Sequence, residues 1–153
     1  GEAPTGTPNN LFPFISQVLL GKIDVLKVFG GDWPTPDGTA VRDYIHVMDL
    51  AEGHCAAFEL LQREASQMLK INLGSGLGHS VFEVIQAFEK VTSIQVNYRI
   101  TDRRSGDVAC SVADPTLANK RLGWITRRSL LEMCSDTWAW QKSNPFGYCQ
   151  VND

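Results

Sequence analysis

The stretch GTAVRDYIHVMDL, residues 38–50, decides how the rest of the chain is read. Val41, Ile45 and Val47 are interleaved with Arg42, Asp43, Tyr44 and His46, a mixture that suits a short strand with one buried face. Directly after it, Asp49 is positioned to cap a helix on which Leu50, His54, Ala57, Phe58 and Leu61 recur at helical spacing. An arginine at a strand end beside a helix start suits an anion, because its planar fork offers two hydrogen bonds to a phosphate where lysine offers a mobile point charge. A purely structural Arg42–Asp43 pair accounts for the same residues and is, on composition alone, the commoner outcome.

Upstream, residues 1–8 hold two prolines and two glycines and read as loop. Asn9 or Asn10 then caps a helix striped by Leu11, Phe14, Ile15, Val18 and Leu19, with Pro13 in the tolerant first turn and Gly21 as the stop. Val25 to Phe29 reads as a strand, and Asp32 to Gly38 (DWPTPDG) as a turn-rich loop whose Asp32 and Asp37 lack calcium-loop spacing and read as solvated carboxylates.

Downstream, Leu69 to Leu73 reads as a strand, followed by Gly74-Ser75-Gly76-Leu77-Gly78. Strand, glycines and helix suggest a dinucleotide turn, but the spacing is G-x-G-x-G with no acidic residue about twenty positions on, so a tight connection is the simpler reading. Ser80-x-x-Glu83 and Ser129-x-x-Glu132 are capping boxes. The first opens a helix burying Val81, Ile85 and Phe88; the second, one carrying Leu131, Cys134 and Trp138 inward and ending at Asn144-Pro145. Between them, Ile94 to Ile100 reads as a strand, and Asp114, Pro115 and Gly123 frame a short helix. Arg103, Arg104 and Asp107 surround Gly106 in a loop whose charges, taken alone, are equally well solvated.

At 153 residues the chain is read as one domain, with residues 145–153 loop or frayed. Its 43% hydrophobic and 20% charged residues suit a soluble globular protein, and a net charge of -3 leaves no basic footprint for nucleic acid. Cys55, Cys110, Cys134 and Cys149 lack paired spacing and read as free thiols in a reducing cytoplasm. The three histidines lack metal-ligand spacing, so no metal is expected. No apolar run reaches membrane-spanning length and no signal peptide opens the chain. It begins Gly1-Glu2-Ala3-Pro4 rather than with methionine, which points to a piece of something longer.

Several long motifs follow one another: PNNL at 8–11, VFGGDWPTPDGTAVRDYIHVMDLAEGH at 28–54, INLGSGLGHSV at 71–81, RRSGDVACSVADP at 103–115, LGW at 122–124 and the closing WAWQKSNPFGY. In this order they resemble the C-terminal, substrate-binding half of the UDP-glucose 4-epimerases, a family of extended short-chain dehydrogenases/reductases, over essentially the whole chain. The resemblance implies an α/β fold of short mixed strands and about five helices with the Rossmann half absent. That family holds NAD on an N-terminal G-x-x-G-x-x-G turn and moves the proton with a Y-x-x-x-K pair. Neither occurs here: Tyr44, Tyr98 and Tyr148 are not followed by lysine at the fourth position onward. No catalytic or NAD-binding residue is therefore expected on this chain, and no turnover by it alone.

By the same resemblance, Asn10 matches an amide that contacts the diphosphate or sugar, with a backbone contact from Leu11. Lys27 to Phe29 match a strand end that pairs with the uracil edge, Phe29 lining the base pocket. Arg42 and Arg104 match the arginines that grip the diphosphate, Asp107 the carboxylate that accepts from the ribose hydroxyls, and Tyr44 a residue that shapes the pocket. Ser111 stands where the family places a bulky tyrosine or a small residue, and a small one leaves room for an N-acetyl group. A UDP-sugar partner, NAD in the complete enzyme, a cytoplasmic location and homo-oligomer formation through surfaces left by the missing Rossmann half complete the expectation. Two other readings stay open: part of a nucleotide-sugar dehydratase or decarboxylase, or a non-catalytic assembly module whose exposed strand edge drives association.

Overall fold

A computed structural model describes residues 2–3, 6, 8–65 and 68–148. Among them five helices and five short strands form an α/β arrangement. In chain order these are α1 (Leu11–Leu19), β1 (Leu26–Phe29), β2 (Val41–Asp43), α2 (Val47–Arg63), β3 (Gly78–Ser80), α3 (Val81–Thr92), β4 (Tyr98–Thr101), β5 (Cys110–Ser111), α4 (Thr116–Leu122) and α5 (Leu130–Ser143). Two small sheets result. One pairs β1 with β4 in parallel; the other places β2 between antiparallel β3 and parallel β5. Ile15, Val18, Leu26, Val28, Val84, Ile85, Phe88 and Cys134 form the core between α1, β1, α3 and α5.

Local signals set the helix starts. Both capping boxes are reciprocal: Ser80 and Ser129 accept from the Glu83 and Glu132 amides, and each glutamate accepts from its cap's N–H. Asn10 is extended at the N-cap of α1 but its side chain makes no capping bond, its amide donating to Glu2 instead; Leu20 closes the helix before Gly21. The Asp114 carboxylate accepts from the Thr116 amide and Gly123 closes α4, one residue later at its start than the sequence suggests.

The stretch from 38 to 50 is strand only at Val41–Asp43. His46, not Asp49, caps α2: its Nδ1 accepts from the Met48 amide at 3.0 Å, which leaves the proton on Nε2 facing Asp136 at 3.1 Å. Asp49 sits wholly buried in the first turn. Its carboxylate accepts from the Arg127 and Arg128 amides at 3.1 and 3.0 Å and from the Arg128 guanidinium. Its backbone carbonyl accepts from the Trp124 indole at 3.0 Å. Those contacts turn α2 so that Asp49, Gly53 and Leu60 face inward, while Phe58 and Leu61 are 62% and 54% exposed. The inward stripe expected from Leu50, His54, Ala57, Phe58 and Leu61 is thus corrected by a polar contact that spacing does not encode.

Other expectations shift for similar reasons. Residues 69–73 form no strand, because no neighbouring strand offers them a ladder among the described residues. The strand predicted at Ile94 to Ile100 begins at Tyr98 and runs to Thr101, where β1 lies alongside. On α5, Met133, Cys134 and Gln141 are buried, Leu131 is exposed and Trp138 half-buried; on α3, Val81 is half-buried while Val84 and Ala87 join the core. Cys149 lies outside the described residues; Cys55, Cys110 and Cys134 are free thiols. No helix among the described residues is long and apolar enough to cross a membrane.

Burial pushes the Asp49 carboxyl up, but the Arg128 and Arg127 amides and the Arg128 guanidinium outweigh it and hold it below its ordinary 3.8. A carboxyl depressed in the folded state stabilises the fold above that ordinary value and loses its contribution as pH falls through the folded one. Asp49→Asn is expected to cost about 3 kcal/mol, a fall in Tm of about 6–12 °C. In thermal melts the gap between wild type and variant is expected to close on acidification below pH 4.

Candidate functional site

One cleft of about 580 Å³ opens between the N-terminus of α1, the edge of β1, the end of β2 and the loop after β4. It is lined by Asn10, Leu11, Lys27, Phe29, Arg42, Tyr44, Arg104 and Asp107, so eight residues singled out in sequence, from four separate segments, meet at one place. Ser111 does not line it, although β5 pairs it directly with Arg42 and leaves its side chain exposed.

Each segment reaches the cleft for a local reason. Asn10 precedes the first turn of α1, and its side-chain amide donates to Glu2 at 3.0 Å. In the parallel β1–β4 ladder, the Leu26 and Gly30 amides bond the Asn97 and Thr101 carbonyls. The alternation of such a ladder turns the Lys27 N–H and C=O to the opposite edge, which no strand covers among the described residues. Arg42 and Asp43 are consecutive on β2 and project to opposite faces. The expected Arg42–Asp43 pair does not form: Arg42 donates to the Val41 carbonyl at 2.8 Å, and Asp43 is engaged elsewhere.

The charges in the cleft favour an anion. Neither Arg42 nor Arg104 makes an ion pair among the described residues, and the Arg104 guanidinium lies 4.3 Å from the centre of the Phe29 ring. Tyr44 packs against Phe12 with ring centroids 5.4 Å apart. Burial pushes its phenol up to about 12 against the opposing pull of Arg42, so it stays neutral and serves as a wall.

The glycine turn after residue 73 is not free to receive a phosphate. The Ser75 and Gly76 amides donate to the Asp43 carboxylate at 3.0 Å each, and the Ala113 amide joins them at 3.2 Å. A Cβ at Gly74 would lie 2.5 Å from that of Ala113, so glycine there serves close packing. The residues of this turn therefore do not fit a dinucleotide, and no step through NAD is assigned to them. No group of three His, Cys, Asp or Glu among the described residues is placed to hold a metal.

The two loop carboxylates are exposed, as expected, and also make specific contacts. Asp37 accepts from the Thr39 amide and hydroxyl, both at 2.8 Å, and from the Ser80 hydroxyl. Asp32 pairs with Arg103 at 2.8 Å. Sequence reading also passed over Pro8, Phe14, Ile23 and Asp24, which line the same cleft. Phe14 carried a signal only as part of the helical stripe and Pro8 only as the first residue of the PNNL motif; Ile23 and Asp24 carried none.

This α/β arrangement is that of the C-terminal part of an extended short-chain dehydrogenase/reductase. A model of the GDP-mannose 4,6 dehydratase family matches residues 2–137, and the chain belongs to that family. UDP-glucose 4-epimerase of Drosophila melanogaster is 54% identical over 149 residues, which are 97% of this chain and 43% of that protein. Among solved structures, UDP-glucose-4-epimerase from Stenotrophomonas maltophila, with bound NAD and formylated UDP-arabinopyranose, superposes with a TM-score of 0.92 at 51% identity. It is matched over 95% of this chain and 43% of its own. The Bifidobacterium longum UDP-glucose 4-epimerase, in complex with NAD+ and UDP, gives a TM-score of 0.92 at 43% identity, covering 97% of this chain and 44% of that one. The chain thus spans less than half the length of the relatives it matches.

Proposed function

We propose that this chain is the UDP-sugar-binding portion of a UDP-glucose/UDP-galactose 4-epimerase and anchors the nucleotide while chemistry takes place on residues outside it. The observation that carries the reading is the meeting in one cleft of two arginines that make no ion pair among the described residues, a carboxylate, and a strand edge that no described strand covers. Arg42 and Arg104 grip the diphosphate with charge-assisted bonds, about twice as strong as neutral ones. Asp107, which only accepts when ionised, takes the ribose hydroxyls. The Lys27 backbone at the open edge of β1 pairs with the uracil, Phe29 lines the base pocket, and Leu11 and Tyr44 shape the walls. Asn10 reaches the diphosphate or sugar by exchanging Glu2 for the ligand.

In the 4-epimerase reaction, hydride leaves the sugar's fourth carbon, the keto sugar turns over, and hydride returns to its other face. NAD supplies that hydride chemistry in the complete enzyme, and none of it is placed on this chain. A firm hold on the nucleotide with a loose hold on the sugar lets binding energy on the non-reacting part position the reacting part. Free thiols at Cys55 and Cys110 suit a reducing cytoplasm.

Calorimetric titration of the chain with UDP is expected to give weak, saturable binding, reduced about tenfold or more by Arg42→Ala and by Arg104→Ala, as for truncation of a charged hydrogen bond. No heat in wild type overturns the reading. By the resemblance, a small residue at Ser111, which is paired with Arg42 across β5 and β2, leaves room for an N-acetyl group although it does not line the cleft. In the complete enzyme, Ser111→Tyr is expected to lower activity on UDP-N-acetylhexosamines relative to UDP-hexoses, and an unchanged ratio rejects that role. The exposed apolar side chains of α2 and the unpaired segment 69–73 favour homo-oligomers of the isolated chain; light scattering is expected to show dimers or larger, and a monomer at high concentration rejects this.

A further inference from the structure

We propose that Arg103 is a positioning residue that latches the loop carrying Arg104 and Asp107 onto the turn after β1, and so sets how firmly the cleft holds a diphosphate. The inference rests on the nucleotide-binding reading above but on a residue outside the cleft.

Arg103 and Arg104 are neighbours whose guanidiniums diverge onto two aromatic platforms supplied by one short segment. Arg104 lies over Phe29 at 4.3 Å, and Arg103 over Trp33 at 4.1 Å. Arg103 also donates through Nε to the Asp32 carboxylate at 2.8 Å and through Nη2 to the Asp32 backbone carbonyl at 2.6 Å. The Trp33 indole N–H returns to the Phe29 carbonyl at 3.2 Å, joining the two platforms. Gly30, at φ +81°, permits this packing: a Cβ there would lie 2.4 Å from the Trp33 indole nitrogen and 2.9 Å from Arg103 Cγ.

The base of the latch is fixed. The Trp33 amide bonds the Gly38 carbonyl at 2.9 Å, and Asp37 ties the far end of the same loop to Thr39 and to Ser80 at the start of α3. The loop it fastens is held internally by a turn from the Asp107 amide to the Arg104 carbonyl at 3.2 Å. Both partners of the Arg103–Asp32 pair are substantially exposed, and such pairs add little to global stability. What the fork and stack supply is geometry, which lysine cannot reproduce.

The test titrates UDP into wild type, Arg103→Met, Arg103→Lys, Asp32→Asn, Arg104→Met and the Arg103→Met/Arg104→Met double variant. Arg103→Met is expected to weaken UDP binding about tenfold with Tm nearly unchanged, and its effect to shrink to about twofold or less once Arg104 is gone. Arg103→Lys is expected not to rescue. Asp32→Asn separates the latch from simple charge: losing a negative group near the cleft tightens an anion by Coulomb attraction, whereas a broken latch weakens it. UDP affinity unchanged in Arg103→Met, tighter binding in Asp32→Asn, or an Arg103 effect of the same size without Arg104 each overturns the proposal. Hydrogen exchange of the 104–107 amides, measured without nucleotide, decides the latch separately: faster exchange in Arg103→Met and Asp32→Asn supports it, and unchanged rates overturn it. Failure of wild type to bind UDP counts against the nucleotide reading, while the exchange result still stands for the latch.

Discussion

The Asp43 carboxylate gathers three backbone amides from two distant parts of the chain: Ser75 and Gly76 after the 69–73 segment, and Ala113 after β5. Buried amides need acceptors, and a carboxylate serves several at once with charge-assisted bonds. Fixing 74–76 on one side and 113 on the other sets β3 and β5 against β2. Because strand side chains alternate, the same register that turns Asp43 into this junction turns Arg42 towards the cleft. The cleft-facing arginine is held in place by the aspartate next to it, although the two do not pair.

Asp37 and Asp49 work in the same way at other junctions. Asp37 joins the proline-rich loop to the start of α3, and Asp49 joins the first turn of α2 to the segment before α5. All three aspartates lie in or beside the two-proline loop and β2–α2 segment, so this stretch organises both the sheet and the helices around it. A cleft built on such junctions is set before a ligand arrives, which lowers the ordering cost of binding. On the proposed reading, that suits a subunit part whose task is to hold a nucleotide rather than to react.

The parts of the fold legible in sequence are those governed by neighbours along the chain. The capping boxes at Ser80 and Ser129 act over three residues, and α3 and α5 begin where they indicate. The stripe on α1 buries Ile15 and Val18 as its spacing indicates. The cleft was legible through ordered motifs rather than periodicity: 8–11, 28–54 and 103–115 read as separate segments until a family pattern aligns them, and seven of their residues then meet, joined by Lys27 just before the second. Arg103 stood beside Arg104 with the same chemistry, and only the family resemblance, not composition or spacing, separated the one that faces the cleft from the one that faces Asp32 and Trp33.

By itself the sequence determined where α3 and α5 start and, through the family resemblance carried by its ordered motifs, the class of fold and the residues that meet in the cleft, because caps and motif order are properties of nearby or ordered positions. Only the tertiary structure decided which face of α2 is buried, that 69–73 finds no strand partner among the described residues, and that Asp32, Asp37, Asp43 and Asp49 each join segments of the chain that no local spacing links. Those outcomes depend on donors contributed by segments tens of residues away. A buried carboxylate takes whichever donors the packed chain brings to it, and that geometry is written in no local spacing.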